Sequence, residues 1–254
     1  MEELNMLKKL KVAALSDIGL IREGNEDNYG FVTFENDFPF VCIVADGMGG
    51  HLNGELASKI AVEYCQTRLS KDLPLDNEPQ KIKNLINDVI QKANIKVYLA
   101  SLETPKNMGM GTTLTLAVFY QSSVYIGHIG DSRCYLLRDR YLDCLTIDHT
   151  VVHEMIEAGT ITEAEIYTHP QRHVLTQALG SSGYLKPDIV HMDLQKQDRY
   201  LLCSDGLHGY VRENEIENTL AQYNEPDNIC EILIDKANNE GGKDNITTIV
   251  VMYE

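Results

Sequence analysis

Basic residues are scarce in this chain: 22 Lys and Arg stand against 38 Asp and Glu, which gives a formal net charge of −16. A chain this acidic is repelled by polyanions, so sequence-independent binding to nucleic acid or anionic lipid is not expected as its main activity. Long apolar runs are lacking as well, since no stretch approaches the roughly 20 apolar residues of a membrane span. We therefore expect no nucleic-acid partner and no membrane span.

Signals for export and for thiolate chemistry are also missing. The first ten residues, MEELNMLKKL, lack the apolar core of a secretory signal. The six cysteines form no Cys-x-x-Cys pair and lie mostly inside apolar runs, at positions 42, 65, 134, 144, 203 and 230. This pattern is typical of buried free thiols in a reducing compartment, so we expect a soluble, cytoplasmic protein.

The chain does contain enough apolar sequence for a sizeable core. Of its 254 residues, 43% are hydrophobic, and no repeat or low-complexity linker divides them, so we expect a single domain over residues 1–254. Short β-rich runs predict strands at 31–34, 40–45, 112–119, 124–129, 134–137, 200–203 and 246–252. Helical patterns predict helices at 55–69, 80–102, 151–158, 213–221 and 227–239.

The spacing of these elements indicates an α+β fold. Several strands follow one another through turns that are too short for a crossover helix, so the sheets should be mostly antiparallel. We expect an α-β-β-α sandwich, in which two packed sheets are flanked by helices. The stretch 148–179 has helical periodicity but no strong strand. It is interpreted either as an inserted flap or as a structural helical connection.

Acidic residues repeatedly mark the ends of the apolar strands. Asp46, Asp131 and Asp205 each follow such a strand, and Asp244 precedes the last one. Because Asp and Gly favour turns, any one of these positions has an ordinary structural explanation. If the strand ends meet at one rim of the sandwich, however, their carboxylates would repel one another strongly unless cations neutralised them.

The residue types at these positions favour a particular metal chemistry. Carboxylate ligands without Cys or His at metal-ligand spacing select Mg²⁺ or Mn²⁺ over zinc. Two such ions about 4 Å apart can activate a water and stabilise an in-line displacement at phosphorus. Arg22 lies four residues before the Glu26-Asp27 pair and has the planar fork that clamps phosphate oxygens. A lone arginine of this kind is more often part of a surface ion pair.

The chain resembles the metal-dependent protein phosphatases of the 2C type (PPM), in particular the compact bacterial serine/threonine phosphatases. The motifs that carry the resemblance are spread over nearly the whole chain. They occur in the order that is typical of that family. They are SDIGLIREGNEDN from Ser16, VADGMGGH from Val44, GMGTTLTLAVF from Gly109, HIGDSRCYLLR from His128, LTQALG from Leu175, CSDGLHGYV from Cys203 and GGKDNITTIVV from Gly241.

The resemblance implies roles for individual residues. It implies that Asp46 bridges two catalytic ions, Mn²⁺ or Mg²⁺, and that Gly47 offers its carbonyl oxygen to the second. The remaining implied roles are first-ion ligands for Asp205 and Asp244, a second-ion carboxylate for Glu26, phosphate binding for Arg22, and orientation of metal-bound water for Asp27.

Four further positions carry less specific implications. Asp131 corresponds to a ligand of a third, weaker ion shared with Asp205, although a turn aspartate is an ordinary alternative. His169 matches a substrate-contact position of related enzymes, but a capping or packing histidine is equally consistent. Met48 stands where animal-type members have histidine, so a metal-bound water would protonate the leaving alkoxide. For His51, a solvent-facing or loop-bonding role is preferred to that of a substitute acid.

The function that the resemblance implies is hydrolysis of phosphoserine and phosphothreonine on proteins by a metal-bridging hydroxide, opposing a bacterial serine/threonine kinase, by a monomeric enzyme. The alternatives are a member specialised for one phosphorylated regulator such as an anti-anti-sigma factor, a binding-only pseudophosphatase, and a small-molecule phosphoesterase. Retention of Asp46, Asp205 and Asp244 argues against the pseudophosphatase.

Overall fold

The computed structural model describes residues 10–34, 39–49, 53–73, 78–166 and 169–254. The strands are β1 (Leu10–Asp17), β2 (Asp27–Val32), β3 (Phe40–Met48), β4 (Gly111–Thr112), β5 (Leu114–Tyr120), β6 (Ser123–Ile129), β7 (Arg133–Arg138), β8 (Tyr141–Cys144), β9 (Asp188–Asp193), β10 (Arg199–Cys203) and β11 (Ile246–Tyr253). The helices are α1 (Asn53–Asp72), α2 (Pro79–Ser101), α3 (Val151–Glu157), α4 (Glu163–Ile166), α5 (Asp205–His208), α6 (Glu213–Gln222) and α7 (Pro226–Asn239).

These strands form two antiparallel sheets. The first sheet has the order β1-β11-β10-β7-β8, and the second has the order β2-β3-β5-β6-β9, with β4 paired to the end of β3. In the first sheet β11 is an inner strand and pairs along its whole length with β1, from Leu10 opposite Tyr253 to Asp17 opposite Ile246. The predicted mostly antiparallel pairing is confirmed.

Three buried clusters establish the layer order. The cluster between the sheets is built from both of them and includes Phe119 on β5 and Tyr200 on β10, whose rings meet edge to face at 5.3 Å. A second cluster joins the other face of the second sheet to α1 and α2, and a third joins the first sheet to α5, α6 and α7. Each sheet therefore buries both faces, and the predicted α-β-β-α sandwich is confirmed.

Strands β1, β8 and β9 were not predicted, and the strand predicted at 31–34 begins earlier, at Asp27. All three missed strands lie at sheet edges, where one face is only half-buried. Their sequences therefore lack the continuous apolar run that reveals a central strand. Pairing with a neighbouring strand, rather than local propensity, decides their conformation.

The segment 148–179 connects β8 to β9 and carries α3 and α4. It is tied to the sandwich by two isolated bridges, Thr150 with Leu175 and Thr112 with Leu179. The second bridge attaches the end of the segment to β4, beside the end of β3. This placement brings the segment next to the strand ends where the acidic residues lie. Among the described residues, no helix is both long and apolar enough to cross a membrane.

All six cysteines are free thiols, as predicted, but Cys144 is exposed while the other five are buried. Cys144 ends β8, which is the edge strand of the first sheet. The other residues of this edge strand are likewise exposed or half-buried.

A buried ion pair fixes the far end of the first sheet. The Asp198 carboxylate is fully buried and accepts two hydrogen bonds from Arg138, at 2.7 and 2.6 Å. It also accepts hydrogen bonds from the Gln195 backbone N–H at 2.8 Å and from the Tyr200 hydroxyl at 3.0 Å. Removing one member of such a pair leaves the other partly buried and uncompensated.

We therefore expect Asp198→Ala to lower the free energy of unfolding by about 3 kcal/mol. The matched control is Lys92→Ala, which removes a half-exposed pair with Asp88 and should change stability by less than about 1 kcal/mol. Urea denaturation followed by circular dichroism measures both. Equal effects of the two substitutions would contradict the assigned importance of the buried pair.

Candidate metal and phosphate site

One cleft gathers the acidic strand ends. It has a volume of about 210 Å³. Its lining residues are Arg22, Glu26, Asp46, Gly47, Met48, Gly49, Thr113, Asp131, His173, Leu175, Asp205, Asp244 and Asn245. The predicted residues Arg22, Glu26, Asp46, Gly47, Asp131, Asp205 and Asp244 are thus brought together, although they come from five separate segments of the chain.

Asp46 is held by its backbone from two sides. Its N–H donates to the Thr113 hydroxyl at 2.9 Å, and its carbonyl accepts from the Thr113 N–H at 2.9 Å and the Thr112 hydroxyl at 2.8 Å. These contacts attach the end of β3 to the β4–β5 segment. The Asp46 carboxyl is thereby left to line the cleft.

Gly47 permits a close approach of three chain segments. A Cβ at this position would lie 2.1 Å from the Gly54 carbonyl oxygen and 2.6 Å from the Glu26 carbonyl oxygen. The Gly47 N–H also donates to the Glu26 carbonyl at 3.1 Å. Only glycine lets the start of α1 and the Glu26 turn pack against the end of β3, so Gly47 helps to bring Glu26 into the cleft.

Asn245 connects the Arg22–Glu26 loop to the start of β11. Its side-chain oxygen accepts from the Glu26 N–H at 2.9 Å, and its amide group donates to the Ile18 and Gly24 carbonyls at 3.0 and 2.9 Å. Sequence reasoning did not single out Asn245. The sequence feature that could have identified Asn245 is its position directly after Asp244, because a residue that follows a site residue often fixes the local backbone.

Arg22 lies at the mouth of the cleft. Its guanidinium donates to Asp244 Oδ2 at 2.7 Å and to the Lys243 carbonyl at 3.4 Å. About half of the Arg22 side chain is exposed. The contact to Asp244 aims the planar fork along the cleft wall and leaves its outer donors free to meet an anion from solvent.

Asp131 is positioned by histidine and arginine contacts around it. Its carbonyl faces Nε2 of His208 on α5 at 2.9 Å. Two residues further on, Arg133 forms a two-pronged pair with Asp148, with both N–O distances 2.8 Å. Asp131 itself is buried. These contacts fix the turn after β6 that presents Asp131 to the cleft.

Asp27 lies outside the cleft lining, opposite Asp46 in the β2–β3 pair. Its Oδ2 accepts a hydrogen bond from the Ser204 hydroxyl at 2.7 Å. Its Oδ1 is buried and has no hydrogen-bond partner among the described residues. A buried carboxylate oxygen without a donor is costly, so this atom suits a positively charged or hydrogen-donating group brought in from the cleft.

The two histidines of the segment 169–173 lie in different surroundings. His169 is not among the cleft residues, and its Nδ1 accepts from the Gln171 N–H at 3.2 Å, within its own turn. His173 does line the cleft, with Nδ1 3.4 Å from Asp205 Oδ2. Sequence reasoning chose the first histidine of the HPQRH run and missed the second. His51 and Gly50 lie outside the described residues.

Burial and mutual repulsion shift the ionisation of this carboxyl cluster. Burial raises the pKa of Asp27 to about 7, and the charge of Asp205 adds to the increase. Burial and neighbouring carboxylates likewise raise the pKa of Asp46, Asp131 and Asp244 above their usual range. Asp205 differs: burial acts against its charged form, but the contact with His173 brings its pKa below the usual range. The cluster thus holds negative charge at an electrostatic cost.

The donor set suits a hard divalent cation. Its side chains present carboxylate oxygens, which Mn²⁺ and Mg²⁺ prefer, and a cation would relieve both the repulsion and the unpaired Asp27 oxygen. Within the ranges that the structure describes, no three Asp, Glu, His or Cys side chains already stand close enough to coordinate one ion.

Comparison with known proteins assigns the family. A model of the family Protein phosphatase 2C matches residues 22–247, which include every acidic residue of the cleft. The chain belongs to the protein phosphatase 2C family. This is a family of metal-dependent serine/threonine phosphatases, and the chain is an enzyme of that class.

Individual relatives are similar to this chain over nearly its whole length. The serine/threonine phosphatase stp of Listeria monocytogenes is 39% identical over 236 residues, which cover 93% of each chain. The serine/threonine phosphatase Stp1 of Staphylococcus aureus superposes with a TM-score of 0.90 at 33% identity, covering 96% of this chain and 95% of that one. The catalytic domain of PstP in complex with 2 manganese ions superposes with a TM-score of 0.81 at 33% identity, covering 97% and 99%.

The raised pKa of Asp27 predicts a pH dependence of stability in the metal-free 2C-type enzyme. Its folded value of about 7 exceeds the ordinary 3.8, so the folded state holds a proton that the unfolded state has released. The stabilisation is complete below about pH 4 and is lost as the pH rises towards 7. We expect the Tm in chelator to fall between pH 5 and 8, and to fall less in Asp27→Asn.

The control for this experiment is Asp88→Asn, on the half-exposed surface of α2. It should leave the slope of Tm against pH unchanged. The assigned burial effect would be wrong if Asp27→Asn followed the same slope as the parent protein.

Proposed function

We propose that the chain hydrolyses phosphoserine and phosphothreonine in proteins, using two divalent cations held in the cleft of Asp46, Asp205 and Asp244. The observation that carries the proposal is the convergence of five carboxylates and Arg22 in one cleft. These residues are far apart in sequence and have no shared structural task that would require so much negative charge in one place.

The ligand assignment follows the carboxylates of the cleft. Asp46 would be shared by both ions, Asp205 and Asp244 would complete the first, and Glu26 with Gly47 would serve the second. Either Mn²⁺ or Mg²⁺ suits these oxygen donors. When bound, such ions activate a water for attack at phosphorus and neutralise charge that develops on the phosphoryl oxygens.

The chain's own residues supply orientation around this chemistry. Arg22 would bind two phosphoryl oxygens with its planar fork, and its contact with Asp244 holds that fork at the cleft mouth. Asp27, anchored by Ser204, would orient the attacking water through its free oxygen. Thr112 and Thr113 keep Asp46 in place through its backbone. Met48, at the rim, has no proton to give to a leaving group.

The rim of the cleft supports a protein substrate rather than a small phosphoester. Leu20 and Ile21, next to Arg22, are 66% and 67% exposed. Their backbone N–H groups donate to the Gly242 carbonyl at 2.7 and 3.2 Å, so the loop is fixed while its apolar side chains face outward. Such residues would contact the segment that flanks a phosphorylated side chain, and the acidic surface favours basic residues in that segment.

Further parts of the proposal concern the cellular setting. A bacterial serine/threonine kinase would place the phosphates that this enzyme removes, and the enzyme would act as a monomer. Its free cysteines favour the reducing cytoplasm. Asp131 with Asp205 would hold a third, weaker ion, since Asp131 reaches the cleft from the turn after β6 and is separate from the other ligands.

Removal of metal should abolish turnover reversibly. We expect chelated protein to be inactive on a phosphothreonine peptide and to regain activity with Mn²⁺, because oxygen ligands bind these ions less tightly than thiolates bind zinc.

Substitution of Asp131 tests the third ion. In Asp131→Ala the loss of turnover should shrink as the Mn²⁺ concentration is raised, because mass action refills a weakened site. Full turnover in chelator would refute the metal mechanism, and an Asp131→Ala deficit that does not change with Mn²⁺ would refute the third site.

Substitution of Arg22 should weaken engagement of the phosphoryl group. We expect Arg22→Ala to lower kcat/KM on a phosphothreonine peptide by roughly one to two decades, as for loss of a charge-assisted contact of about 1.5–3 kcal/mol. Arg22→Lys should restore part of this loss, since lysine has the charge but lacks the fork.

The matched control is Arg68→Ala on α1, which removes an arginine that pairs with Asp72 on the same helix. Steady-state kinetics should show no change in this variant. An unchanged kcat/KM in Arg22→Ala would reduce Arg22 to a surface ion-pair partner.

A further inference from the structure

A second cavity lies at the other end of the first sheet. Its volume is about 1030 Å³, against about 210 Å³ for the catalytic cleft. It is lined by the start of β1, the ends of β7 and β11, the turn before β10 and the outer side of α6. It shares no residue with the catalytic cleft.

The distance between the two sites follows from β11. This strand starts next to Asp244 at the catalytic cleft and ends at Tyr253, which lines the second cavity. Eight residues at about 3.3 Å each separate the sites by about 25 Å. A ligand in the second cavity therefore cannot touch the reacting phosphate.

Several charges in the second cavity are already neutralised. Arg138 pairs with buried Asp198, and Lys11 pairs with Glu254 at 2.7 Å. The remaining cations are Arg140, Lys196 and Arg199, none of which forms an ion pair with a described residue. Two carboxylates also line the cavity, those of Asp139 and Glu217. The lining therefore has five cationic side chains against four acidic ones, on a chain of net charge −16.

Arg199 is the inner cation of this group. Its guanidinium donates to the Leu220 and Tyr223 carbonyls at the end of α6, and to Asn224 Oδ1 at 2.8 Å. Burial lowers its pKa, and no neighbouring carboxylate opposes this effect. Arg199 thus places a positive charge in the cavity lining, held there by carbonyl and amide oxygens.

The turns that carry the other cations have unfavourable backbone conformations. Asp139 and Arg140 form the two-residue loop between β7 and β8, with φ of 52° and 68°, where Asn-Gly is the favoured pair. Gln197, beside Lys196, has a φ of 72°, and its N–H donates to the Tyr253 carbonyl at 2.7 Å. Non-glycine residues adopt left-handed conformations at an energetic cost, and the two-residue hairpin loop requires them at both positions. Both turns present long polar side chains to the same cavity.

We propose that this second cavity binds a phosphate-bearing ligand, with Arg140 and Lys196 holding the phosphate at the entrance and Arg199 contributing positive charge from within. The fork of arginine matches phosphate oxygens. Amide side chains supply hydrogen bonds for the rest of the ligand, and they are Gln195, Gln197, Asn218, Gln222 and Asn224. The ligand is either a phosphorylated polypeptide segment or a free organic phosphate.

The test measures binding without turnover. Isothermal titration calorimetry in chelator uses three probes: a phosphothreonine peptide, its unphosphorylated form and adenosine monophosphate. The site variant is Arg140→Asn with Lys196→Gln, because asparagine tolerates a left-handed backbone and both changes remove charge. The control variant, Lys81→Gln with Lys83→Gln on α2, removes the same charge from a different surface. Melting curves establish that each variant is folded.

We expect a phosphorylated probe to bind the parent protein, and its affinity to fall tenfold or more in the site variant. The control variant should stay within about twofold of the parent. Tighter binding of the peptide than of adenosine monophosphate identifies a phosphorylated segment as the ligand, and the reverse identifies a free organic phosphate. Equal binding of the two peptides, no binding to the parent at millimolar probe or an unchanged site variant would overturn the proposal.

This test is separate from the proposed phosphatase activity. Mn²⁺-loaded parent protein, assayed on the phosphothreonine peptide, reports on hydrolysis, whereas the calorimetry contains no metal and reports on binding alone. A protein that binds the probe but does not hydrolyse it would contradict the proposed function and leave the second site standing.

Discussion

Mutual repulsion among the carboxylates of the cleft is the constraint on which the site depends. Asp46, Asp131, Asp205 and Asp244 would separate if they were free to do so, and burial adds to the cost of their charge. The sandwich holds them together because its three apolar clusters fix the strand ends. A divalent cation would relieve this repulsion. The repulsion among the carboxylates in the metal-free protein therefore increases the affinity of the cleft for metal.

The antiparallel sheet gives the molecule two functional ends. Strands β10 and β11 run from the catalytic cleft to the second cavity, so both sites are anchored to the same rigid layer. The cleft end is rich in buried carboxylate, whereas the opposite end holds cations without carboxylate partners among the described residues. This polarity allows one phosphorylated ligand to be held by arginine and lysine while another is processed by metal chemistry, without competition between them.

Central strands and long helices were predictable because their apolar patterns are continuous. The edge strands β1, β8 and β9 were not, since half-exposed strands lack such a pattern and form by pairing with neighbours. The same limit applies to the site. Asp46 and Asp205 follow buried strands and could be identified, but His173 and Asn245 lie in irregular segments. Their contacts with Asp205 and Glu26 arise from distant chain segments.

The sequence by itself determined the layer type, the oxygen-rich ligand chemistry and the family resemblance, because each depends on residue types in a fixed order along the chain. Only the tertiary structure decided which of these residues share a cleft, which histidine of the 169–173 run faces Asp205, and that unpaired cations collect about 25 Å away. Such facts depend on distances between segments that are remote in sequence. Strand pairing and core packing set those distances, and no local sequence pattern predicts them.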